Sequence, residues 1–476
     1  MVFSSAIFLF AFLPAVFILY RLISSLKIKN LLLAAASIVF YAFGQLQYVP
    51  LFLASVLINY VSGLFLQGKT EKRKLVLALA VFLDIGILCA FKYTDFLIRN
   101  LNEVFSLSLP YAGLVLPIGI SFFTFQGLSY TIDVYRDRDS GTRDFLKLLL
   151  YISFFPQLIA GPIVKYHDIA DQIDERRCTH EETTYGISRF ITGLSKKILI
   201  ANAVGYIADQ VFDRFVPGGI TEWPLMWLGG ICYTLQIYFD FSGYSDMAIG
   251  MGRMFGFCFR ENFNYPYASS SIKEFWRRWH ISLSSWFREY LYIPLGGNRK
   301  GKWRTALNKL IVFFCTGLWH GANWTFVFWG LGHGLLASLE DFGVIPVKKL
   351  SGSLPGRIAA RVYTLVSVML LFVVFRAEDL PQAFTVIAHM FAGGISGHGL
   401  YLLRSLLDPA ACAVILLAML FAGRLPGIIA RRLSRLKNRG RPLSLALTAA
   451  CSLALYVLCI MSLAHGGFNP FIYFQF

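Results

Sequence analysis

The sequence predicts an all-α, polytopic membrane protein, and three observations carry that reading. Hydrophobic residues make up 56% of the 476, and the mean hydropathy is +0.59. Apolar runs recur along the whole chain near the roughly 20-residue length that crosses a bilayer as a helix. Lysine and arginine, the source of a net charge of +17, gather in the short stretches between those runs. The same charge would suit a nucleic-acid binder, but no strand-and-aromatic module accompanies it, so no nucleic-acid partner is expected.

Clear apolar runs cover residues 6–20, 31–43, 51–66, 75–91, 225–239, 310–328, 362–375, 411–421 and 443–463. Several fall short of a full span and are expected to tilt, re-enter or lie within protein. With the weaker runs the count comes to about 11 spans plus one or two re-entrant pieces. Residues 1–20 lack an early positive charge and a small-residue cleavage site, so they are expected to be a retained first span. Six of the eight cysteines lie inside apolar segments and act as small hydrophobes. No internal repeat or long linker appears, so a single membrane domain, 1–476, is expected.

The chain in order sets the orientation. Basic residues 21–29 and 69–74 flank the uncharged turn 44–50, which places the N-terminus and that turn outside. Asp84 interrupts the fourth run, where a structural contact is expected ahead of a proton relay. Residues 116–130 carry Pro117, Gly119, Ser121, Thr124, Gln126 and Ser129, a poor lipid-facing surface that suits a helix lining a polar cavity or a re-entrant element. Pro156, Gly161 and Pro162 preclude a straight helix through 151–166. His167, Asp168 and Asp171 fall in the polar stretch 165–184, read as a solvated helix ahead of a metal site. Asp240 and Asp246, among glycines, are expected to pair with Arg277, Arg278 or Arg288 and hold that basic helix in place.

The chemistry concentrates between Ser271 and Gly334. At about 100° per residue, Trp276, Trp279, Leu283, Trp286, Phe287 and Tyr290 share one helical face. Lys273, Arg277, Ser284 and Arg288 flank it, as in an amphipathic helix suited to anionic headgroups or a phosphate-bearing ligand. His280 lies inside the apolar face; a bond to a neighbouring carbonyl and a place in a site are both open. His320 stands one turn before Asn323 and Trp324, so a helix would put all three on one face. Gly317 and Gly321, four apart, allow a close helix approach. Buried imidazole is a base near neutral pH. Neither HExxH nor paired CxxC occurs, so no metal is expected. His333 is a further imidazole in this apolar run. The turn 294–302, PLGGNRKGK, reads first as an inside loop and second as a contact for donor phosphates.

These residues carry a resemblance: FWRRWHISLSSWFREYLYIPLGGN and GLWHGANWTFVFWGLGHG, preceded in order by LPIGISFFTFQGLSYTIDVYR, FFPQLIAGPIVKY and YFDFSGYSDMAIGMGRMFGF. Together they resemble the membrane-bound O-acyltransferase superfamily, in its bacterial branch that acetylates alginate and other exopolysaccharides. The motif-bearing core is about 112–334. The resemblance implies a ring of helices around a central channel. It implies that the WHG histidine, His320, is catalytic and that the RRWH histidine, His280, is the second one tied to activity. Gln126, Trp279, Arg277, Arg288, Asn323 and Trp324 are the expected channel lining.

The resulting expectation is a bacterial inner-membrane enzyme that moves an acetyl group from acetyl-CoA, or another acyl thioester, towards an external polysaccharide. A periplasmic acetyl-transferring protein is an expected partner, with membrane lipids around the helices. Acetyl-CoA enters as a substrate, and no cofactor is expected. Two alternatives remain: D-alanyl transfer to teichoic acid, whose proteins share RRWH and WHG, and, from another class, transport of a lipid-linked sugar.

Overall fold

The computed structural model describes residues 1–69, 71–159, 161–350, 352–429, 441–465 and 471–472. Among them every regular element is a helix and no strand occurs. Four helical stretches among the described residues are long and apolar enough to cross a membrane: Leu26–Gln67, Arg73–Phe105, Leu354–Arg376 and Ala446–Ala464. A fifth qualifies if the pair Leu380–Ala392 and Gly397–Leu406, bent by 104°, counts as one. Other runs fall in shorter helices, such as Phe8–Leu22 and Pro409–Ala422. The basic stretch 424–441 lies mostly outside the described residues.

Two compact units divide the chain. The first takes Met1–Phe190 and Tyr244–Glu261, and the second takes Ile191–Gly243 and Asn262–Phe476.

The first unit opens with α1 (Leu13–Leu22) and α2 (Leu26–Gln45). A break at Gln45 (φ −148°, ψ 41°) and a tight turn, Leu46–Tyr48, lead into α3 (Val49–Gln67), so the uncharged turn falls where the sequence puts it. The 33-residue α4 (Arg73–Phe105) stops at Ser106 in the left-handed region. Gly119, with φ 78°, starts α5 (Ile120–Arg136); a Cβ there would meet the Leu158 carbonyl oxygen at 2.8 Å. Only glycine suits both constraints.

Helix α5 is buried almost all round, as expected of a polar segment that must avoid lipid. Thr131 on this helix joins a buried polar chain through α3 to α4. Thr131 Oγ1 donates to Asn59 Oδ1 at 2.7 Å, and Asn59 Nδ2 donates to Asp84 Oδ2 at 2.9 Å. Ser55 Oγ adds a third bond to Asp84, at 3.3 Å. Asp84 is therefore the structural tie the sequence favours.

The next stretch breaks as the prolines require, into α6 (Phe145–Ser153) and α7 (Phe155–Leu158). Then come α8 (Tyr166–Asp174) and α9 (His180–Ser195). Helix α8 is the solvated, charge-paired helix expected: His167 Nδ1 lies 2.8 Å from Asp133 Oδ2, and Arg260 pairs with Asp168 at 2.6 Å.

The second unit holds α10 (Asn202–Asp209) and the first two-thirds of α11 (Trp223–Met254). After Asn262 come α12 (Ile272–Arg278), α13 (Ile281–Phe287), α14 (Gly301–His320) and α15 (Trp324–Phe342). Four more helices follow: α16 (Val347–Leu350), α17 (Leu354–Arg376), α18 (Leu380–Ala392) and α19 (Gly397–Leu406). The last are α20 (Pro409–Ala422) and α21 (Arg441–Ala464). Helices α14 and α15 pack most closely where Gly317 faces the Phe326 backbone and Gly330 faces that of Phe313; a Cβ at either would collide. The sequence spacing of Gly317 anticipates that approach.

The aspartates of α11 pair differently from the expectation. Asp246 accepts from Arg189, at 2.7 Å, within the first unit. Asp240 forms a buried ion pair with Lys197 within the second. Neither meets Arg277, Arg278 or Arg288. Those arginines are mostly exposed, and Arg278 bonds Glu274 at 2.8 Å on its own helix. Burying a carboxylate requires a cation that is itself buried or close at hand, and Lys197 and Arg189 satisfy that.

Candidate active site

The amphipathic stretch after Ser271 is two short helices, not one. Ser271 caps α12, its hydroxyl accepting from the Glu274 N–H at 3.0 Å. Helix α12 ends at Arg278, and His280 takes φ 42°, a left-handed conformation unusual for a residue with a Cβ. Residues 262–264 run beside the break and satisfy its backbone. The Asn264 N–H donates to Arg278 O, and the Ile281 N–H donates to Asn262 O, both at 2.9 Å. Asn262 Oδ1 also accepts from Ser282 N–H and Oγ, at 3.1 and 2.9 Å, and lies 3.3 Å from His280 Nδ1. The apolar face survives the break: Trp276, Trp279, Leu283, Trp286, Phe287 and Tyr290 are all buried.

The break turns the His280 ring into a wholly buried position, edge-on to Phe241 at 4.6 Å. Burial pushes its pKa down to about 3, so the ring is neutral at physiological pH. Trp279, also buried, lies among Phe263, Phe275 and Phe372, with centroids 5.1 to 5.4 Å away.

His320 is the last residue of α14 and is 4% exposed. Three rings meet its imidazole nearly at right angles: Trp319 at 5.0 Å, Trp329 at 5.1 Å and Phe375 at 5.2 Å. Trp319 also lies 6.0 Å from the His280 ring. One indole therefore separates the two histidines that the sequence singles out.

Asn323 departs from the expected geometry. Gly321 is extended, so the helix does not run on from His320 and the two side chains share no helical face. Asn323 instead caps α15: its Oδ1 accepts from the Thr325 N–H at 3.2 Å, and its Nδ2 donates to Glu378 O at 2.7 Å. Trp324 is half-exposed, and Arg277 and Arg288 are exposed. Gln126 belongs to the first unit. It is wholly buried on α5, and neither of its amide atoms has a hydrogen-bond partner among the described residues. No three His, Cys, Asp or Glu side chains cluster as metal ligands among the described residues.

Comparison with known proteins decides the family: the MBOAT, membrane-bound O-acyltransferase family, matches residues 33–344. The chain belongs to that family. It is accordingly an acyltransferase, and an integral, multi-pass membrane protein. It is 38% identical to a probable alginate O-acetylase of Azotobacter vinelandii, over the whole of both chains. A peptidoglycan O-acetyltransferase of Helicobacter pylori is 36% identical, over 83% of this chain and 80% of that one. A teichoic acid D-alanyltransferase of Bacillus subtilis is 32% identical, over 47% and 59%.

Sequence reasoning missed several residues of this acyltransferase that set the geometry around His320. Trp329 and Phe375 wall its imidazole, and Asn262 holds the break at His280. Trp329 stands nine residues after His320, on the next helix, and no single helical period links the two. Phe375 and Asn262 are farther along the chain, and only packing brings them in.

Proposed function

We propose that the enzyme acetylates an envelope polysaccharide, with acetyl-CoA as the donor and His320 as the general base. The carrying observation is the seat of His320, an imidazole buried at a helix end between two indoles and a phenyl ring. Such a ring is held in one orientation and has little water to compete for its nitrogen. The acceptor hydroxyl gives its proton to the imidazole while its oxygen attacks the thioester carbonyl. The tetrahedral intermediate then collapses, and the sulfur leaves as the thiol with the proton returned from the imidazolium. His280, neutral and buried across Trp319, orients that region. Exposed Arg277 and Arg288 supply positive charge for the donor's phosphates.

The acetyl reading is supported by the names of the relatives that align over most or all of this chain. The D-alanyltransferase aligns over less than half of it, which favours acetyl over D-alanyl. The basic loops support an orientation with the N-terminus outside the bacterial inner membrane and donor entry from the cytoplasm. Transfer reaches the polymer directly or through a periplasmic acetyl carrier protein.

The test is release of CoA from labelled acetyl-CoA by purified protein with acceptor, alongside donor binding. His320→Ala is expected to lower transfer by about 100- to 10,000-fold with donor binding kept; wild-type rates in this variant would remove His320 from the mechanism. For orientation, Asn298→Cys in intact cells should resist labelling by an impermeant thiol reagent, and efficient labelling would invert the topology.

A further inference from the structure

We propose that His333 is a positioning residue for acyl transfer, acting on His320 through Trp329; the proposal rests on the reading of His320 as the base. His333 lies on α15 and is wholly buried. Phe275 lies parallel to its ring at 6.0 Å, and Phe313 nearly so at 6.2 Å. Trp276 and Trp329 meet it edge-on, each at 5.2 Å. Four aromatic rings thus box one imidazole.

Neither imidazole nitrogen of His333 has a hydrogen-bond partner among the described residues. The same holds for the indole nitrogens of Trp276 and Trp329. A phenyl ring would fill this box equally well and leave no nitrogen to desolvate. An imidazole here therefore lowers stability relative to phenylalanine. Such a cost is characteristic of residues retained for function.

Trp329 supplies the link. Its ring lies 5.2 Å from His333, 5.1 Å from His320 and 5.0 Å from Phe375. The His320 ring stands at 89° to the indole, so a tilt of Trp329 turns the imidazole that takes the proton. The chemistry of the pair is complementary, because an indole N–H only donates and a neutral imidazole has one acceptor nitrogen. A bond from Trp329 Nε1–H to His333, formed when substrate loads the site, fixes that tilt. Phenylalanine at 333 packs without forming it.

The experiment compares purified His333→Phe and His333→Gln with wild type. It measures melting temperature, the donor KM and kcat for acetyl-CoA-dependent transfer. His333→Phe is expected to melt at or above wild type, keep the donor KM within about twofold, and lose about 10- to 100-fold in kcat, as misplacement of a reacting group does. His333→Gln, which restores an acceptor, should regain part of that loss. Wild-type kcat in His333→Phe overturns the proposal. So does an equal loss in both variants, or a melting temperature of His333→Phe well below wild type. Failure of the base reading is a separate outcome: full activity in His320→Ala sinks that reading, while the melting comparison still decides whether the imidazole is held against stability.

Discussion

His280 holds a backbone conformation that a glycine adopts freely, at a cost of about 1–3 kcal/mol for a residue with a Cβ. The bonds from residues 262–264 hold it there, and the gain is a buried, neutral imidazole one indole away from His320. Asn323 shows the opposite case, a polar residue in a motif whose two amide ends are both spent on structure. Asn323→Ala removes the α15 cap and is expected to destabilise the protein by about 1 kcal/mol. Its kcat should stay within about tenfold of wild type, far from the loss expected for His320→Ala. A thermal melt together with a transfer assay separates the two roles; a loss as large as that of His320→Ala would make Asn323 part of the chemistry.

Two acidic residues at the end of α15 anchor α12, the helix that leads to His280. Glu340 is 4% exposed and accepts from the Ile272 and Lys273 N–H groups, at 2.6 and 3.3 Å. These are first-turn donors of α12 with no intrahelical partner. Asp341 bridges Lys273 and Lys309, which ties α12 to α14 as well. Glu340→Ala leaves the buried donors unsatisfied, which costs about 1–3 kcal/mol, and Glu340→Gln should cost less because it keeps an acceptor. Chemical denaturation of the purified variants reads the difference. Equal stability of Glu340→Ala and wild type would show that α12 is anchored by packing alone.

On the scale of the whole chain, one charged pair joins three stretches of the second unit that are distant in sequence. Lys197, two residues past the end of α9, pairs with Asp240 on α11, and both side chains are buried. The Ile472 N–H donates to Asp240 Oδ2 at 2.7 Å, and the Lys197 ammonium lies 4.8 Å from the Phe471 ring centroid. Residues 471 and 472 are thereby seated on the pair. Lys197→Met alone leaves an uncompensated buried carboxylate and should cost about 3–5 kcal/mol. Adding Asp240→Asn removes that charge while keeping an acceptor for Ile472, so the double variant should recover most of the loss. Melting temperatures that do not rise from the single to the double variant would show that Asp240 is compensated elsewhere.

The sequence by itself determined the helical membrane class, the burial of the polar 116–130 segment and the break at 151–166, and its short motifs singled out His280 and His320 as site candidates. Hydropathy, proline and short motifs act locally, so each leaves a readable mark on the chain. Tertiary structure alone decided where the aromatic helix breaks, which cation pairs with Asp240 and Asp246, and that Asn323 caps α15 rather than facing His320. It also decided the ring box around His333. Each of these depends on a residue distant in sequence supplying the missing donor, charge or ring: Asn262 at the break, Lys197 and Arg189 for the aspartates, Glu378 for Asn323 and Phe275 for His333. Buried polar and charged groups are satisfied by whatever packing brings within reach, and helical periodicity carries no record of that choice.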